Sequence, residues 1–98
     1  MAGEPILDSV FDAENLEKLS RRGIYPEDLY DILEGLYQFG RNRAGRRGSH
    51  LLIGRNWNNH CLAVPVEATG EAGVWRPITG WDCKPSELAR LGQVRRRR

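Results

Sequence analysis

The middle of the chain concentrates arginine in a way that could bind phosphate. The fifteen residues RNRAGRRGSHLLIGR, 41–55, contain five arginines, one histidine and no acidic residue. The arginines are Arg41, Arg43, Arg46, Arg47 and Arg55. Guanidinium groups pair bidentately with phosphate oxygens, and their binding releases counterions, so this cluster predicts contact with a nucleic-acid backbone. A loop that is only solvated usually mixes acids with bases.

Two further basic residues extend this prediction. If the strands alternate regularly, Arg55 and Arg76 project from one sheet face and bring positive charge beside the arginine loop. Lys84 is assigned to nucleic-acid binding together with the loop arginines. Two alternatives stay open, namely a loop that docks on an acidic protein and a loop without a function.

The two histidines, His50 and His60, flank the first predicted strand after the arginine loop. Histidine commonly transfers protons near neutral pH, and RNA cleavage needs one group to take the 2′-hydroxyl proton and another to protonate the leaving oxygen. Either histidine is therefore a candidate catalytic residue, and the competing interpretation is a surface residue at a strand end. A metal site with Cys61 and Cys83 lacks any standard ligand spacing, so we predict no metal and no cofactor.

Aromatic residues could offer stacking faces to unpaired bases. The candidates are Trp57, Trp75, Trp81, Tyr37 and Phe39. Trp75 and Trp81 are an even number of residues apart on one predicted strand, so they should share a face, and at least one of them is expected to be structural. G-x-G-x-x-G, P-loop, G-x-S-x-G and H-E-x-x-H motifs do not occur, which argues against nucleotide-dependent and serine-hydrolase chemistry.

Composition and charge set the broad class of the protein. With 98 residues the chain is expected to form one domain. Residues 1–34 carry nine acids against three bases, whereas residues 35–98 carry four acids against twelve bases. Neither a leader nor an apolar stretch of about 18 residues is evident, and the two cysteines are too far apart for a CxxC motif. We therefore expect a soluble cytoplasmic protein with reduced thiols and no membrane partner.

The elements that must position these residues follow from periodicity. Asp12 is a good N-cap for a first helix that ends at Gly23, and Pro26 opens a second helix. Its apolar face is predicted to be Leu29, Ile32, Leu33 and Leu36. YQFGRNRAGRRGS is expected to be a loop, and HLLIGRN, CLAVPVEA and VWRPITGW are expected to be strands. PILDSVF is an optional first strand, and KPSELARLG forms a last helix.

These segments together resemble a known family. VFDAENLEKLSRRGIYPEDLYDILEG, LLIGRNWNNHCLAVPVE and WRPITGW are similar to the BrnT-like toxins of bacterial toxin–antitoxin systems, in the RelE-like superfamily of small ribonucleases. Asp12, the turn RRGIYPED and the IGR at 53–55 carry the resemblance, which covers roughly residues 8–91. Two features depart from the family pattern. Arg21 and Arg22 replace a lysine and a histidine, and Trp81 stands where the third strand should end in arginine.

The resemblance implies a fold and a function. The expected fold is α+β over residues 1–92, with two N-terminal helices and a short C-terminal helix packed on a small antiparallel sheet, followed by a disordered basic tail over 93–98. The expected function is that of a type II toxin, a metal-independent endoribonuclease that cleaves RNA and inhibits translation. A cognate antitoxin is the implied partner, in a heteromeric complex, and a homo-oligomer is left open.

Within that function each candidate residue has a role. Arginines such as Arg43, Arg47, Arg55 and Arg76 would hold the scissile phosphate and stabilise its transition-state charge. Either His50 or His60 would transfer the proton. The alternative is a non-catalytic nucleic-acid-binding or protein-interaction module with the same fold, which the missing strand-end arginine favours.

Overall fold

Three helices and six strands make up the described part of the protein. The computed structural model describes residues 5–92. The helices are α1 (Ala13–Arg21), α2 (Pro26–Glu34) and α3 (Pro85–Gly92). The strands are β1 (Asp8–Ser9), β2 (Tyr37–Arg41), β3 (His50–Arg55), β4 (Cys61–Ala68), β5 (Val74–Pro77) and β6 (Trp81–Asp82). The predicted tail at 93–98 lies outside the described residues.

The first helix begins and ends as the sequence predicts. The Asp12 carboxylate accepts a hydrogen bond from the backbone N–H of Asn15 at 2.9 Å, and the Asn15 side chain accepts one from the Asp12 N–H at 2.8 Å. This reciprocal pair satisfies two of the donors that a helix start leaves open. Gly23 follows the helix at φ +75°, and the N–H of Ile24 donates to Leu19 O at 3.0 Å, which closes the end as a Schellman motif.

The second helix is also confirmed, although its apolar face is shorter than predicted. Pro26 occupies the first helical position, and the Asp28 carboxylate accepts a hydrogen bond from the Tyr25 N–H at 2.8 Å. Leu29 and Ile32 are fully buried. Leu36 lies beyond the helix end and is 44% exposed, so it is not part of the core-facing stripe.

The sheet is mixed, which corrects the prediction of a purely antiparallel sheet. Its strand order is β1-β5-β4-β3-β2, with β6 also paired to β4. The optional first strand exists as β1, and it pairs in parallel with β5, whereas the other pairs are antiparallel. The overall class is α+β, as expected.

Strand β2 was predicted to be part of the loop. Its five residues include Gly40 and no β-branched residue, so local propensity argued against a strand. Pairing with β3 overrides that propensity, with Phe39 opposite Leu52 and Tyr37 opposite Gly54. Tyr37 and Phe39 also pack against the main core, and the loop proper is confined to residues 42–49.

The third predicted strand is interrupted by a β-bulge. Val66 pairs with Pro77, and Ala63 pairs with Trp81. A separation of three residues along β4 therefore lies opposite a separation of four residues along β5 and β6. The extra residue reverses the alternation, and Trp75 and Trp81 therefore lie on opposite sheet faces. The carbonyl oxygen of Pro65 accepts a hydrogen bond from the Ile78 N–H at 2.9 Å. Because the nitrogen and the carbonyl of a strand residue face the same neighbour, the Pro65 nitrogen, which has no hydrogen to donate, faces the bulge.

The two faces of the sheet carry separate apolar clusters. The larger cluster lies between the sheet and helices α1 and α2, and it includes Leu19, Leu29, Ile32, Leu52, Val64 and Trp75. The smaller cluster lies between the sheet and α3, and it includes Leu51, Ile53, Ala63 and Leu91. The helices thus form layers on both sides of the sheet.

Cys61 and Cys83 are joined by a disulfide, which corrects the expectation of reduced thiols. Their Cα atoms are 5.3 Å apart, and the Cys83 N–H donates to Cys61 O at 2.9 Å. The pairing follows from the register of β6 on β4, which sequence spacing does not reveal. Separately, none of the described helices has the length and apolarity needed to cross a membrane.

Candidate nucleic-acid interface

The arginine loop, residues 42–49, has a defined backbone. Asn42 closes its base, because the Asn42 N–H donates to Ser49 O at 2.9 Å and the Asn42 side-chain amide donates to Arg47 O at 2.8 Å. The Arg46 N–H donates to Arg43 O at 3.1 Å, which closes a turn with Gly45 at φ +83°. A positive φ at the third residue of a turn is typical of type II geometry. The loop therefore presents its side chains from a hydrogen-bonded frame.

Gly48 anchors this loop on the sheet. Its φ is +78°, and a Cβ added there would lie 2.8 Å from Val66 O and 3.0 Å from Val66 N. Only glycine fits that close approach at that backbone conformation. The loop is thereby held against β4 at the end of the sheet.

A cleft of about 550 Å³, which we call the basic cleft, opens between the arginine loop and helix α3. Its residues are Asn42, Arg43, Arg46, Arg47, Leu51, Pro65, Thr79, Trp81, Lys84, Ser86, Glu87 and Arg90. Five of these side chains are cationic and one is anionic. The floor comes from Leu51, Pro65 and Trp81, and the cations rise around it from the loop and from α3. The volume lies within the range of about 300–1,000 Å³ that is typical of ligand sites.

The loop arginines keep their charge available. Arg43, Arg46 and Arg47 are exposed. Among residues 5–92, none of them forms an ion pair with a carboxylate. Cations that are not neutralised internally can exchange water and counterions for phosphate oxygens.

The α3 wall of the basic cleft is organised by Glu87. Its Oε1 accepts the Lys84 N–H at 2.8 Å, and the Trp81 indole N–H points at both carboxylate oxygens, at 3.1 and 3.2 Å. The Lys84 ammonium lies 5.7 Å from the centre of the Trp81 ring. Arg90, one turn further along, donates to the Gln38 side chain on β2 at 2.9 Å. These contacts hold α3 on the sheet and place Lys84 and Arg90 beside the basic cleft.

Arg76, which was predicted to act with the loop arginines, does not line this cleft. Its guanidinium donates to Asp12 at 2.7 Å, to Glu14 at 2.9 Å and to Glu67 at 3.0 Å. The Arg76 hydrogen bond, followed by that from the Asn15 backbone, lowers the pKa of Asp12 to about 2, and the carboxylates raise the pKa of Arg76. Three carboxylates around one guanidinium leave no site for a phosphate.

Arg55 and Arg41 also lie away from the basic cleft. Arg55 follows the far end of β3, donates to Asn59 O at 3.0 Å and borders a separate hollow of about 360 Å³ beside Leu36 and Leu88. Arg55 and Arg76 do share a face by register, but they lie at opposite ends of the sheet. Arg41 is two residues from Phe39 on β2, so it shares the face that carries α1 and α2.

Neither predicted catalytic histidine lies in the cleft. His50 is buried at 8% exposure and stacks on Phe39, with ring centres 5.2 Å apart, and on Trp75, at 4.6 Å. Its ring therefore faces the α1 and α2 side of the sheet. His60 is exposed in the turn between β3 and β4, at the end of the sheet opposite the arginine loop.

The sequence prediction missed two charged residues of the cleft. Glu87 and Arg90 share one face of α3 at a three-residue step, and Lys84 directly precedes the helix three residues before Glu87. That spacing was readable in KPSELARLG and signals a polar helix face beside Leu91, which enters the core. Only the packing of α3 against β2 and β3 shows that this face meets the arginine loop.

Comparison with known proteins found no matching family model and no matching curated protein. Within residues 5–92, no three His, Cys, Asp or Glu side chains form a group that could hold a metal ion. The BrnT-like resemblance accordingly remains a prediction. The geometry of the basic cleft is the main evidence on which a function can rest.

Proposed function

We propose that this chain is a metal-independent endoribonuclease, the toxin of a type II toxin–antitoxin pair, which cleaves RNA in the cytoplasm and inhibits translation. The observation that carries the proposal is the basic cleft, where five cationic side chains surround an apolar floor. The resemblance to BrnT-like toxins supports the role as a toxin, and the positive charge of the basic cleft supports a ligand that carries phosphate groups.

The cleft suits a phosphodiester for electrostatic reasons. Arg43, Arg46 and Arg47 can approach phosphate oxygens from the loop, and Lys84 and Arg90 can approach from α3. Charge builds on the phosphate oxygens during cleavage, and preorganised cations stabilise that charge without reorganising. The apolar floor can receive the flat or aliphatic faces of the attached nucleosides.

The proposed antitoxin has a surface available on α2. This helix carries Glu27, Asp28, Asp31 and Glu34 and no basic residue. Tyr25, which caps the start of this helix, and Tyr30 within it are 51% and 46% exposed. Tyrosine is enriched at protein interfaces, and a partner with basic character would complement the acids of this surface.

A second candidate is a nucleic-acid-binding module without catalysis. The observation that favours it is the placement of His50 and His60 outside the basic cleft. Incubating the purified protein with single-stranded RNA in the presence of a chelator separates the candidates. Cleavage supports the ribonuclease, and retention of intact RNA supports the binding module.

The loop arginines give a direct mutational test. Arg46→Ala/Arg47→Ala should weaken RNA binding by about tenfold, because each exposed pair of a guanidinium and a phosphate contributes up to about 1 kcal/mol. Binding is measured by fluorescence anisotropy with a labelled single-stranded RNA. Arg21→Ala/Arg22→Ala is the matched control, because it removes two adjacent exposed arginines at the end of α1. Equal affinity of the two double variants would contradict the proposed role of the cleft.

A further inference from the structure

The basic cleft contains one carboxylate, and it is buried. Glu87 lines the cleft although its residue is only 8% exposed. Its hydrogen-bond partners in the described chain are the Lys84 backbone N–H and the Trp81 indole N–H, which are neutral donors. Within residues 5–92 it forms no ion pair, despite the five cations around the same cleft.

These contacts orient the carboxylate and leave part of it available. Oε1 accepts two hydrogen bonds, at 2.8 and 3.1 Å, whereas Oε2 accepts only the longer branch from the indole at 3.2 Å. A carboxylate oxygen has two lone pairs, so Oε2 retains one for a further donor. Since Glu87 lines the basic cleft, Oε2 is the carboxylate oxygen with capacity for a ligand donor there.

No other side chain of the basic cleft is an equally suitable base. The remaining residues are arginines, a lysine, an asparagine, hydroxyl residues, a tryptophan and apolar residues. Arginine stays protonated at every accessible pH, and amides and hydroxyls are poor proton acceptors. The two histidines lie elsewhere. A carboxylate within hydrogen-bond reach can act as a general base.

We propose that Glu87 is the general base of the basic cleft, an inference that rests on the proposed ribonuclease function. Oε2 takes the proton of a ribose 2′-hydroxyl, and the 2′-oxygen forms a bond to the adjacent phosphorus. The bond from phosphorus to the 5′-oxygen breaks, and the Lys84 ammonium gives that oxygen a proton. The products are a 2′,3′-cyclic phosphate and a 5′-hydroxyl. Exchange of one proton with water restores Glu87 and Lys84.

Glu87→Gln tests the assignment with little change of shape. A glutamine oxygen can still accept from Lys84 and Trp81, but it cannot take a proton at neutral pH. Single-turnover cleavage of a labelled 30-nucleotide RNA of random sequence is measured with chelator present. We expect the variant to lose at least about 100-fold in rate, the usual contribution of a general base, while its RNA affinity stays within about twofold of the original.

The controls separate catalysis from folding. Glu71→Gln removes an exposed carboxylate on the turn between β4 and β5, and it should leave cleavage unchanged. Glu87→Asp keeps the carboxylate on a shorter side chain, so its cleavage should be slower but should still fall with decreasing pH, as for the original protein. In Glu87→Gln that fall should disappear. If Glu87→Gln does not fold, the pH dependence of cleavage by Glu87→Asp tests the assignment. A cleavage rate that does not fall with decreasing pH overturns it.

Two further outcomes distinguish an error in the role of Glu87 from an error in the ribonuclease function. If the original protein cleaves RNA and Glu87→Gln cleaves equally fast, Glu87 is not the base and the ribonuclease function stands. If the original protein binds RNA but leaves it intact, the ribonuclease function itself is wrong, and the role of Glu87 is overturned with it.

Discussion

A guanidinium that is enclosed by three carboxylates has most of its donors occupied and lies in a negatively charged environment, which opposes the binding of an external phosphate. Arg76 is in that position, with its Nε, Nη1 and Nη2 atoms all committed to Asp12, Glu14 and Glu67. Arg46 and Arg47, by contrast, have no carboxylate partner in the described chain. Residue type alone made these arginines equivalent candidates. Their neighbours differ, because Arg76 is tied to the acids of its own fold whereas Arg46 and Arg47 keep their charge for the proposed ligand.

The Asp12 carboxylate should make stability depend on pH in a defined window. Its folded pKa is about 2, below its usual value of 3.8, so the ionised form is favoured by folding. This contribution is complete above about pH 4 and is lost as pH falls toward 2. Asp12→Asn keeps an N-cap acceptor but removes the charge. It should be less stable than the original protein at pH 7, and the difference should shrink between pH 4 and 2.

Urea unfolding at several pH values measures this effect. Glu71→Gln serves as the control, because it removes a carboxylate that has no ion-pair partner within residues 5–92. A stability difference between Asp12→Asn and the original protein that is the same at pH 7 and pH 2 would show that the ion pair contributes nothing.

At the scale of elements, local signals predicted the helices and long-range pairing decided the rest. The N-cap Asp12, the closing Gly23 and the opening Pro26 act within one or two turns, so sequence reasoning located α1 and α2 correctly. Strand β2 lacks such local signals and exists because β3 pairs with it. The bulge after Pro77 is set by the register on β4, and this register put Trp75 and Trp81 on opposite faces.

The candidate site was predictable to a similar extent. The run of arginines around Arg46 and Arg47 predicted a nucleic-acid-binding loop, and the structure places this loop beside a cleft, while the binding itself stays a prediction. Lys84 was predicted, but the contribution of Glu87 and Arg90 was not found, because it depends on how a helix about 40 residues later packs against β2 and β3. Arg55 and Arg41 were grouped with the cleft by sequence proximity, although strand direction and alternation place them elsewhere.

The disulfide between Cys61 and Cys83 should stabilise the connection between β4 and α3. The two cysteines are 22 residues apart, and closing a loop of that length in the unfolded chain contributes about 3 kcal/mol. Reduction with a dithiol should therefore lower the free energy of unfolding by about that amount. Denaturant unfolding with and without reductant measures the change.

The double variant Cys61→Ala/Cys83→Ala is the control for reduction. It contains no other cysteine, so its stability should not respond to the reductant. Thiol titration of the unreduced, unfolded original protein should find no free thiols. Two free thiols in that titration, or equal stability with and without reductant, would show that the bond does not form in solution.

At the scale of the whole molecule, the sheet separates two layers of opposite charge. Helices α1 and α2, which carry six acids against two bases, lie on one face, and the basic cleft lies on the other. If the five cations of the cleft each neutralise one phosphate, log affinity for single-stranded RNA should fall against log salt with a slope of about −3.5. Affinity measured between 50 and 300 mM salt, roughly the range that spans physiological ionic strength, gives this slope. A slope near zero would exclude phosphate binding at the cleft.

The layered charges also make the molecule an electric dipole. A negatively charged polymer exerts a torque on such a molecule before contact, so collisions occur with the cleft already turned toward the strand. The same asymmetry lets the acidic side of one molecule attract the basic side of another when little salt is present. Salt therefore has two opposing consequences, since it suppresses self-attraction and also slows the encounter with a negatively charged polymer.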